Sequence, residues 1–389
     1  MDLNLHIAQR MHNIKPFIVM ELLQRAQQLQ AQGRDVIHME IGEPDFATPP
    51  LVQAAAAKFL QQGDAKYTAA AGLPELRAAI AAYYRQNYGV AVDAGRIFIT
   101  PGASGAFLLA FGSSLNPGQA VMMADPCYPC NANFVQLFNA ETQLVAVDPA
   151  TNYQLDAGLI AQNWRANTSG VLIASPANPT GSLLSNTALA AAIDQVQALG
   201  GCFYADEIYH GLDYAEPPAT ALASHDQVFV INSFSKFFGM TGWRIGWLIV
   251  PDSHVAVVER LAQNIFISTS SQAQYAALAS FSAENMTELR RRRDEFKIRR
   301  DYLYENLLRL GFKITAKPEG AFYIYADCST FSQNSYQFAK DLLEAEGVAV
   351  TPGTDFGYNG ADKHIRFAYT ASIPRMAEAL TRLERFICR

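Results

Sequence analysis

The chain has 389 residues, with 30 Lys and Arg against 36 Asp and Glu, a formal charge of −6, and half of its residues are apolar. That balance supports a sizeable buried core and excludes a disordered chain. A net negative chain lacks the positive field that phosphate-backbone binding needs, which argues against a nucleic-acid protein, and no apolar run approaches the roughly 18 to 20 residues of a spanning helix.

The stretch from Met1 to Phe17 mixes His6, Arg10, His12, Asn13 and Lys15 with its apolar residues and has no uninterrupted apolar region, so no secretory signal is expected. A helix around Ile18 to Gln32 and a strand at Val36 to Ile41 follow, then an Ala-rich helical segment at Leu51 to Leu60. From there β-branched or aromatic runs alternate with helical patterns, the signature of a mostly parallel sheet covered by helices, an α/β fold. The expected strands are Ile97 to Thr100, Ala120 to Ala124, Val171 to Ser175, Cys202 to Ala205, Val228 to Asn232 and Arg244 to Val250. After about Ala283 comes a long charged helix, in which Arg290 to Arg293 reads as a solvated face because Asp294, Glu295 and Lys297 follow. Strands at Gly320 to Ala326, Gly347 to Val350 and Ile365 to Tyr369 and a final helix complete an α+β pattern. The reading therefore expects a large domain at 49–282 and a smaller one assembled from 1–48 and 283–389.

Five cysteines, Cys127, Cys130, Cys202, Cys328 and Cys388, are an odd and scattered set that suits a reducing compartment, so a cytoplasmic location is expected. Cys127 and Cys130 form a C-x-x-C, but no second ligand pair follows at zinc spacing, which disfavours a metal or redox site.

Most expected strands run into chemically loaded loops. Ile97 to Thr100 leads to Pro101 through Gly105, Ala120 to Ala124 to Asp125 and Tyr128, and Val171 to Ser175 to Asn178. Cys202 to Ala205 leads to Asp206 and Glu207, and Val228 to Asn232 to Ser233, Ser235 and Lys236. In open α/β sheets ligands bind beyond the carboxyl ends of the strands, so these loops are expected to converge on one site. The Gly-rich turn at Gly102 to Gly105 exposes backbone amides at a helix N-terminus, an anion site. Neither G-x-G-x-x-G nor a P-loop is present, which removes the main support for a dehydrogenase or NTPase. Ser233, Ser235 and Arg244 suit a dianionic phosphate, leaving Lys236 for covalent work, since a lysine whose pKa is lowered by burial and nearby cations forms a Schiff base with a carbonyl.

Six ordered motifs then identify a family: Ile41-Gly-Glu-Pro-Asp45, Tyr67 with Gly72-Leu-Pro-Glu-Leu-Arg77, Ser175-Pro-Ala-Asn-Pro-Thr-Gly181, Asp206-Glu-Ile-Tyr209, Ser233 to Gly246 and His364-Ile-Arg-Phe-Ala368. Over nearly its whole length the chain resembles class I/II aminotransferases, pyridoxal-phosphate (PLP) enzymes of fold type I. The resemblance implies that Lys236 carries PLP as a Schiff base, that Asp206 keeps the pyridine nitrogen protonated, and that Asn178 and Tyr209 bind the ring's phenolic oxygen. It also implies that Tyr128 stacks on the ring and that Ser233, Ser235, Arg244 and the backbone at Ala103 and Ser104 hold the phosphate. Tyr67 would reach in from a partner subunit of a homodimer. Arg366 would take the substrate α-carboxylate, helped by Gly42 and Asn178. The implied reaction moves an amino group from an L-amino acid to a 2-oxo acid in ping-pong fashion, with Lys236 shuttling the Cα proton. Taken singly, Asp206 as a helix N-cap, Tyr128 as a core aromatic, Asn178 as a turn former and Arg366 in a surface ion pair are all ordinary; the ordered spacing argues against those readings jointly.

An aspartate-using branch of the family has a Lys where this chain has Ser104, so a neutral, aromatic or broad donor is expected, with 2-oxoglutarate or pyruvate as acceptor. Ile14, Phe17 and Phe322 are the expected apolar walls. The alternatives are a C–S or β-lyase of the same fold and an aspartate aminotransferase. A PLP-sensing regulator is set aside, because only about 45 residues precede the large domain and supply no basic DNA-binding module.

Overall fold

The computed structural model describes residues 6–14, 16–63 and 65–388, so the first five residues and Lys15 of the N-terminal stretch, together with Asp64 and Arg389, lie outside the described residues. In chain order the strands are β1 (Ile37–His38), β2 (Ile97–Thr100), β3 (Ala120–Asp125), β4 (Glu141–Ala146), β5 (Thr168–Ala174) and β6 (Cys202–Asp206). They continue with β7 (Phe229–Ser233), β8 (Gly246–Ile249), β9 (Tyr323–Asp327), β10 (Val348–Ala349), β11 (Thr351–Pro352) and β12 (His364–Ala368).

Seven strands form the main sheet in the order β2-β8-β7-β6-β5-β3-β4. All pairs are parallel except those made by β8, which runs antiparallel to both β2 and β7. The segment between β7 and β8 contains no α-helix, so the chain turns back beside β7 instead of crossing over it. Helices cover both faces, and β2, β7 and β8 are buried at every position, which is why they read as continuous apolar runs.

β4 was not among the expected strands. Glu141-Thr-Gln-Leu-Val-Ala alternates buried and open positions at the sheet's edge, so half of it looks polar in the sequence. The strand expected from Arg244 starts only at Gly246, because Arg244 has φ 53° and cannot enter the ladder. The expected strand Val36 to Ile41 contracts to Ile37–His38, which pairs parallel with β10. β9, β11 and β12 form a separate antiparallel sheet in the order β11-β12-β9.

The helix Ala283–Arg309 is capped by the Ser282 side chain, which accepts from Asn285 N–H. Its basic run is not wholly solvated, which corrects the expectation. Arg292 is buried, donates to Ala47 O at 2.7 Å and lies 5.1 Å from the Phe46 ring. Arg299, two turns on, bonds Asp45 at 2.8 Å and Thr370 O at 2.8 Å. Long stems pack inward while the guanidinium groups reach backbone carbonyls, which fixes the Asp45 to Ala47 stretch against this helix.

All five cysteines are free, and burial pushes the Cys127 thiol up to about 12, which makes it a poor nucleophile. Among the described residues no helix is long and apolar enough to cross a membrane.

Gly170 sits where β5 presses on β6: a Cβ there would lie 2.7 Å from the Cys202 carbonyl oxygen and 2.8 Å from the Tyr204 ring. Gly170→Ala should destabilise the fold by about 1–3 kcal/mol. Thermal unfolding followed by circular dichroism would show this as a lowered midpoint, and an unchanged midpoint would contradict the tight approach.

Candidate active site

A cavity of about 230 Å³ opens beyond the carboxyl ends of the parallel strands. Gly42, Ala103, Ser104, Tyr128, Asn178, Asp206, Tyr209, Ser233, Ser235, Lys236, Arg244 and Arg366 all line it. Of the residues expected to bind the cofactor or the α-carboxylate, Tyr67 lies elsewhere: it is 80% exposed, in a loop outside this chain's cavity. The elements explain the convergence. Asp206 ends β6, Ser233 ends β7 with Ser235 and Lys236 just beyond, Ser104 is in the first turn of the helix Gly102–Ser114, Tyr128 precedes the helix Pro129–Leu137, and Arg366 sits mid-β12.

The two central groups are shifted towards each other by burial. Loss of water raises the Asp206 carboxyl to about 7, opposed by the Ile208 N–H at 3.2 Å and by the positive charge of Lys236. Loss of water likewise lowers Lys236 to about 8; Arg366 and Arg244 push it the same way, and Glu43 and Asp206 oppose. The Lys236 Nζ donates to Gly42 O. A strand-end carboxylate this costly to charge gains most from a cationic N–H partner, and an amine this easy to deprotonate is poised as a nucleophile and base near neutrality.

Below them is an anion cradle. The helix Gly102–Ser114 begins with no side-chain cap, which leaves the amides of its first turn facing the cavity beside Ala103 and Ser104. The hydroxyls of Ser233 and Ser235 lie 2.9 Å apart. The Arg244 guanidinium reaches so close that a Cβ on Gly102, which has φ +69°, would meet Nη2 at 2.7 Å. Gly246 is equally constrained: a Cβ would lie 3.0 Å from Ala103 N. Both glycines keep the backbone open for a ligand, and the donors suit a phosphate dianion.

Arg366 is 3% exposed yet none of its partners is a carboxylate. Its Nη1 donates to Asn178 Oδ1 at 3.0 Å, its Nη2 donates to Glu40 O and to Thr351 Oγ1, and its Nε is buried without a partner among the described residues. Its carbon lies 4.3 Å from the centre of the Tyr323 ring. A buried guanidinium with an unpaired N–H is a built receptor for a carboxylate.

Two of the three expected apolar walls are not where the sequence placed them. Phe17 lines the cavity, but Ile14 does not, and Phe322 is fully buried behind it against Tyr209, Phe296 and Tyr323. Tyr323, the first residue of β9, takes the place at the wall, because neighbouring residues of a strand face opposite ways. Its Oη is 2.9 Å from Tyr209 Oη, and a Cβ on Gly42 would fall 1.9 Å from it. The remaining apolar lining comes from Val19, Met20 and Leu23 of the helix Ile18–Ala31 and from Phe107, Phe134 and Ile208. The 3.6-residue periodicity of the N-terminal helix was visible in the sequence, but nothing local tied it to this cavity.

Comparison with known proteins agrees with this geometry. The sequence profile of the aminotransferase class I and II family matches residues 34–383. The chain is 37% identical to the valine–pyruvate aminotransferase of Mycobacterium tuberculosis, over 95% of this chain and 96% of that one. A putative aminotransferase from Silicibacter pomeroyi superimposes with a TM-score of 0.91 at 40% identity, covering 99% of this chain and 100% of that one. The aspartate aminotransferase of Thermus thermophilus, crystallised with maleate, superimposes with a TM-score of 0.93 at 30% identity over 98% and 99%. The chain belongs to the class I and II aminotransferases. It is an enzyme of a family that uses pyridoxal phosphate.

The Lys236 amine should therefore react as an unusual lysine. In cofactor-free protein its acylation rate should rise with a midpoint near pH 8, and Asp206→Asn should move that midpoint lower by removing a charge that favours the ammonium form. Peptide-resolved labelling across pH measures this; a midpoint near the ordinary 10.5 would contradict the assigned burial.

Proposed function

We propose that the enzyme transfers the amino group of neutral, predominantly apolar L-amino acids to a 2-oxo acid such as pyruvate. The observation that carries this reading is a count of cations. Among the described residues, Lys236, Arg244 and Arg366 are the cationic side chains lining the cavity. The first is assigned to cofactor attachment, the second to phosphate and the third to the substrate's α-carboxylate, so none of these described cations remains for a second carboxylate. Ser104 stands where an aspartate-using branch carries Lys, and the surrounding wall is apolar. The relative named for valine and pyruvate supports this donor class, whereas the one named for aspartate has the same fold with different requirements at the side chain.

Within that reading, Ala103, Ser104, Ser233, Ser235 and Arg244 hold the phosphate, Tyr128 packs on the ring, Asp206 keeps a proton on the ring nitrogen, and Asn178 and Tyr209 bind the phenolic oxygen. Bound there, PLP supplies a sink for the electron pair released when the donor's Cα–H bond breaks. Arg366 and Asn178 fix the α-carboxylate, so that Cα sits within reach of Lys236. Lys236, with a proton affinity near neutrality, would take the Cα proton and hold it for return within the site. The apolar wall excludes water while this happens. One water would then hydrolyse the donor's carbon–nitrogen link, so that the donor leaves as a keto acid with its amino group retained at the site, and a second keto acid would take up that amino group and release the water again.

The proposal extends to organisation. Residues 49–282 act as the cofactor-binding domain, with 1–48 and 283–389 as the smaller domain that brings Arg366 and the apolar helix to it. The enzyme works as a homodimer in which the exposed Tyr67 reaches the second copy's phosphate site, and the free cysteines suit a cytoplasmic location.

The absorbance of the purified holoenzyme under a panel of L-amino acids tests the donor class. Valine, leucine or phenylalanine should bleach the cofactor band at least about tenfold more efficiently than aspartate, and a keto acid should restore it without ammonia release. Dominance of aspartate would contradict the reading, and ammonia production would point to a lyase. Ser104→Lys should narrow or reverse the preference by supplying a partner for a second carboxylate. Arg366→Lys should weaken amino and keto acid binding together, by about 1.5–3 kcal/mol, since the bidentate fork is lost. Unchanged affinity for both would mean that the carboxylate binds elsewhere.

A further inference from the structure

The apolar wall of the cavity is held from the far end of the chain. The helix Ile18–Ala31 supplies Val19, Met20 and Leu23, and Phe17 stands immediately before it. Phe17 occupies the N-cap position and makes no side-chain capping bond. The first-turn amides of any helix need acceptors. Here Asp355 supplies them: Ile18 N–H donates to Oδ1 at 2.9 Å and Val19 N–H donates to Oδ2 at 3.3 Å. Asp355 is 8% exposed, and burial pushes its carboxyl up to about 6 while these two amides favour the charged form.

The same loop reaches the other parts of the site. Phe356 follows Asp355, and its ring centre lies 4.8 Å from the Arg366 guanidinium carbon. The Phe356 carbonyl accepts from Cys127 N–H at 2.9 Å, next to Tyr128. Tyr358 and Asn359 N–H both donate to Asp125 at the end of β3. The loop is thus pinned on the side of the large sheet, and Asp355 is the point at which it grips the helix. Beyond its first turn that helix has independent anchors in the buried Leu22, Ala26 and Leu29 and in the Arg25–Glu344 ion pair. Loss of Asp355 therefore frees the cavity-facing end alone.

We propose that Asp355 is a positioning residue for donor discrimination: by capping the first turn of the helix Ile18–Ala31 it holds Phe17, Val19 and Met20 as a packed wall for the donor's side chain, without touching the donor. This rests on the neutral-donor reading above and adds the residue that enforces it. A small side chain such as that of alanine makes little use of this wall, whereas that of leucine fills it. Removal of the clamp should consequently penalise leucine selectively and act mainly through KM.

The test compares holoenzyme carrying Asp355, Asp355→Asn and Asp355→Ala, with kcat and KM for L-leucine and L-alanine against one acceptor, together with amide hydrogen exchange of residues 18–23. For Asp355→Ala the leucine-to-alanine ratio of kcat/KM should fall about tenfold, chiefly through the KM for leucine, and first-turn amides should exchange faster. Asp355→Asn, which keeps one acceptor oxygen, should fall between. Equal losses for both donors, or equal effects of Asn and Ala, would mean that Asp355 acts through its charge on Arg366 and would overturn the proposal. Unchanged first-turn exchange in Asp355→Ala would overturn it as well. If Asp355→Ala does not fold, Asp355→Asn decides by the same two readouts. If the unaltered enzyme transfers an amino group from neither donor, the donor reading has failed on its own, and the exchange rates alone uphold or overturn the clamp.

Discussion

Charged groups are buried around one cavity with too few counter-charges, and the rest of the site is arranged around that constraint. With burial as the largest cause, the Asp206 carboxyl rises to about 7 and the Lys236 amine falls to about 8, so the two approach each other's proton affinity. Arg366 keeps an N–H without a partner among the described residues in the same enclosure. Such an arrangement is unfavourable for folding and has to be offset by the two cores that flank the main sheet. In return the cavity offers a partner for a cationic ring nitrogen, an amine that loses its proton near neutrality and a receptor for a carboxylate. These are the capacities amino transfer requires, and each derives from desolvation more than from direct contact between the groups.

The sheet sets the positions. Because the strands between β7 and β3 run parallel, their carboxyl ends open on one edge, and Asp206, Ser233 and the segments leading to Asn178 and Tyr128 meet there without long excursions. The reversed β8 returns the chain beside β7, so that Arg244 comes back to the cradle that Ser233 began. The glycines at 102 and 246 keep that cradle open at the closest approaches. The C-terminal sheet contributes the complementary half: Arg366 and Tyr323 lie on the same face of paired strands, and the guanidinium rests on the tyrosine ring.

Much of this was legible in the sequence for a physical reason. A strand that ends in Asp, Asn, Ser-x-Ser-Lys or a Gly-rich turn advertises the loop chemistry directly, and the ordered set pointed to the family before any geometry. The failures have equally specific causes. β4 is an edge strand with an open face, so its alternation resembled a loop. Phe322 was expected at the wall, but the register of β9 gives that place to Tyr323, and the slip of one residue inverts which aromatic meets the ligand. Arg292 belongs to a charge run that reads as solvated, yet its long stem lets it turn inward to Ala47 O. The link between Asp355 and the first turn of the N-terminal helix joins residues more than 330 positions apart and has no local signature.

The central claim is that Lys236 is the residue to which the cofactor is joined. Borohydride reduction of the enzyme in the presence of pyridoxal phosphate, followed by proteolysis and peptide mass mapping, tests it most directly. The account predicts the reduced pyridoxyl group on the peptide containing Lys236 and its disappearance in Lys236→Ala. Stoichiometric attachment at another lysine, or none at all, would contradict it.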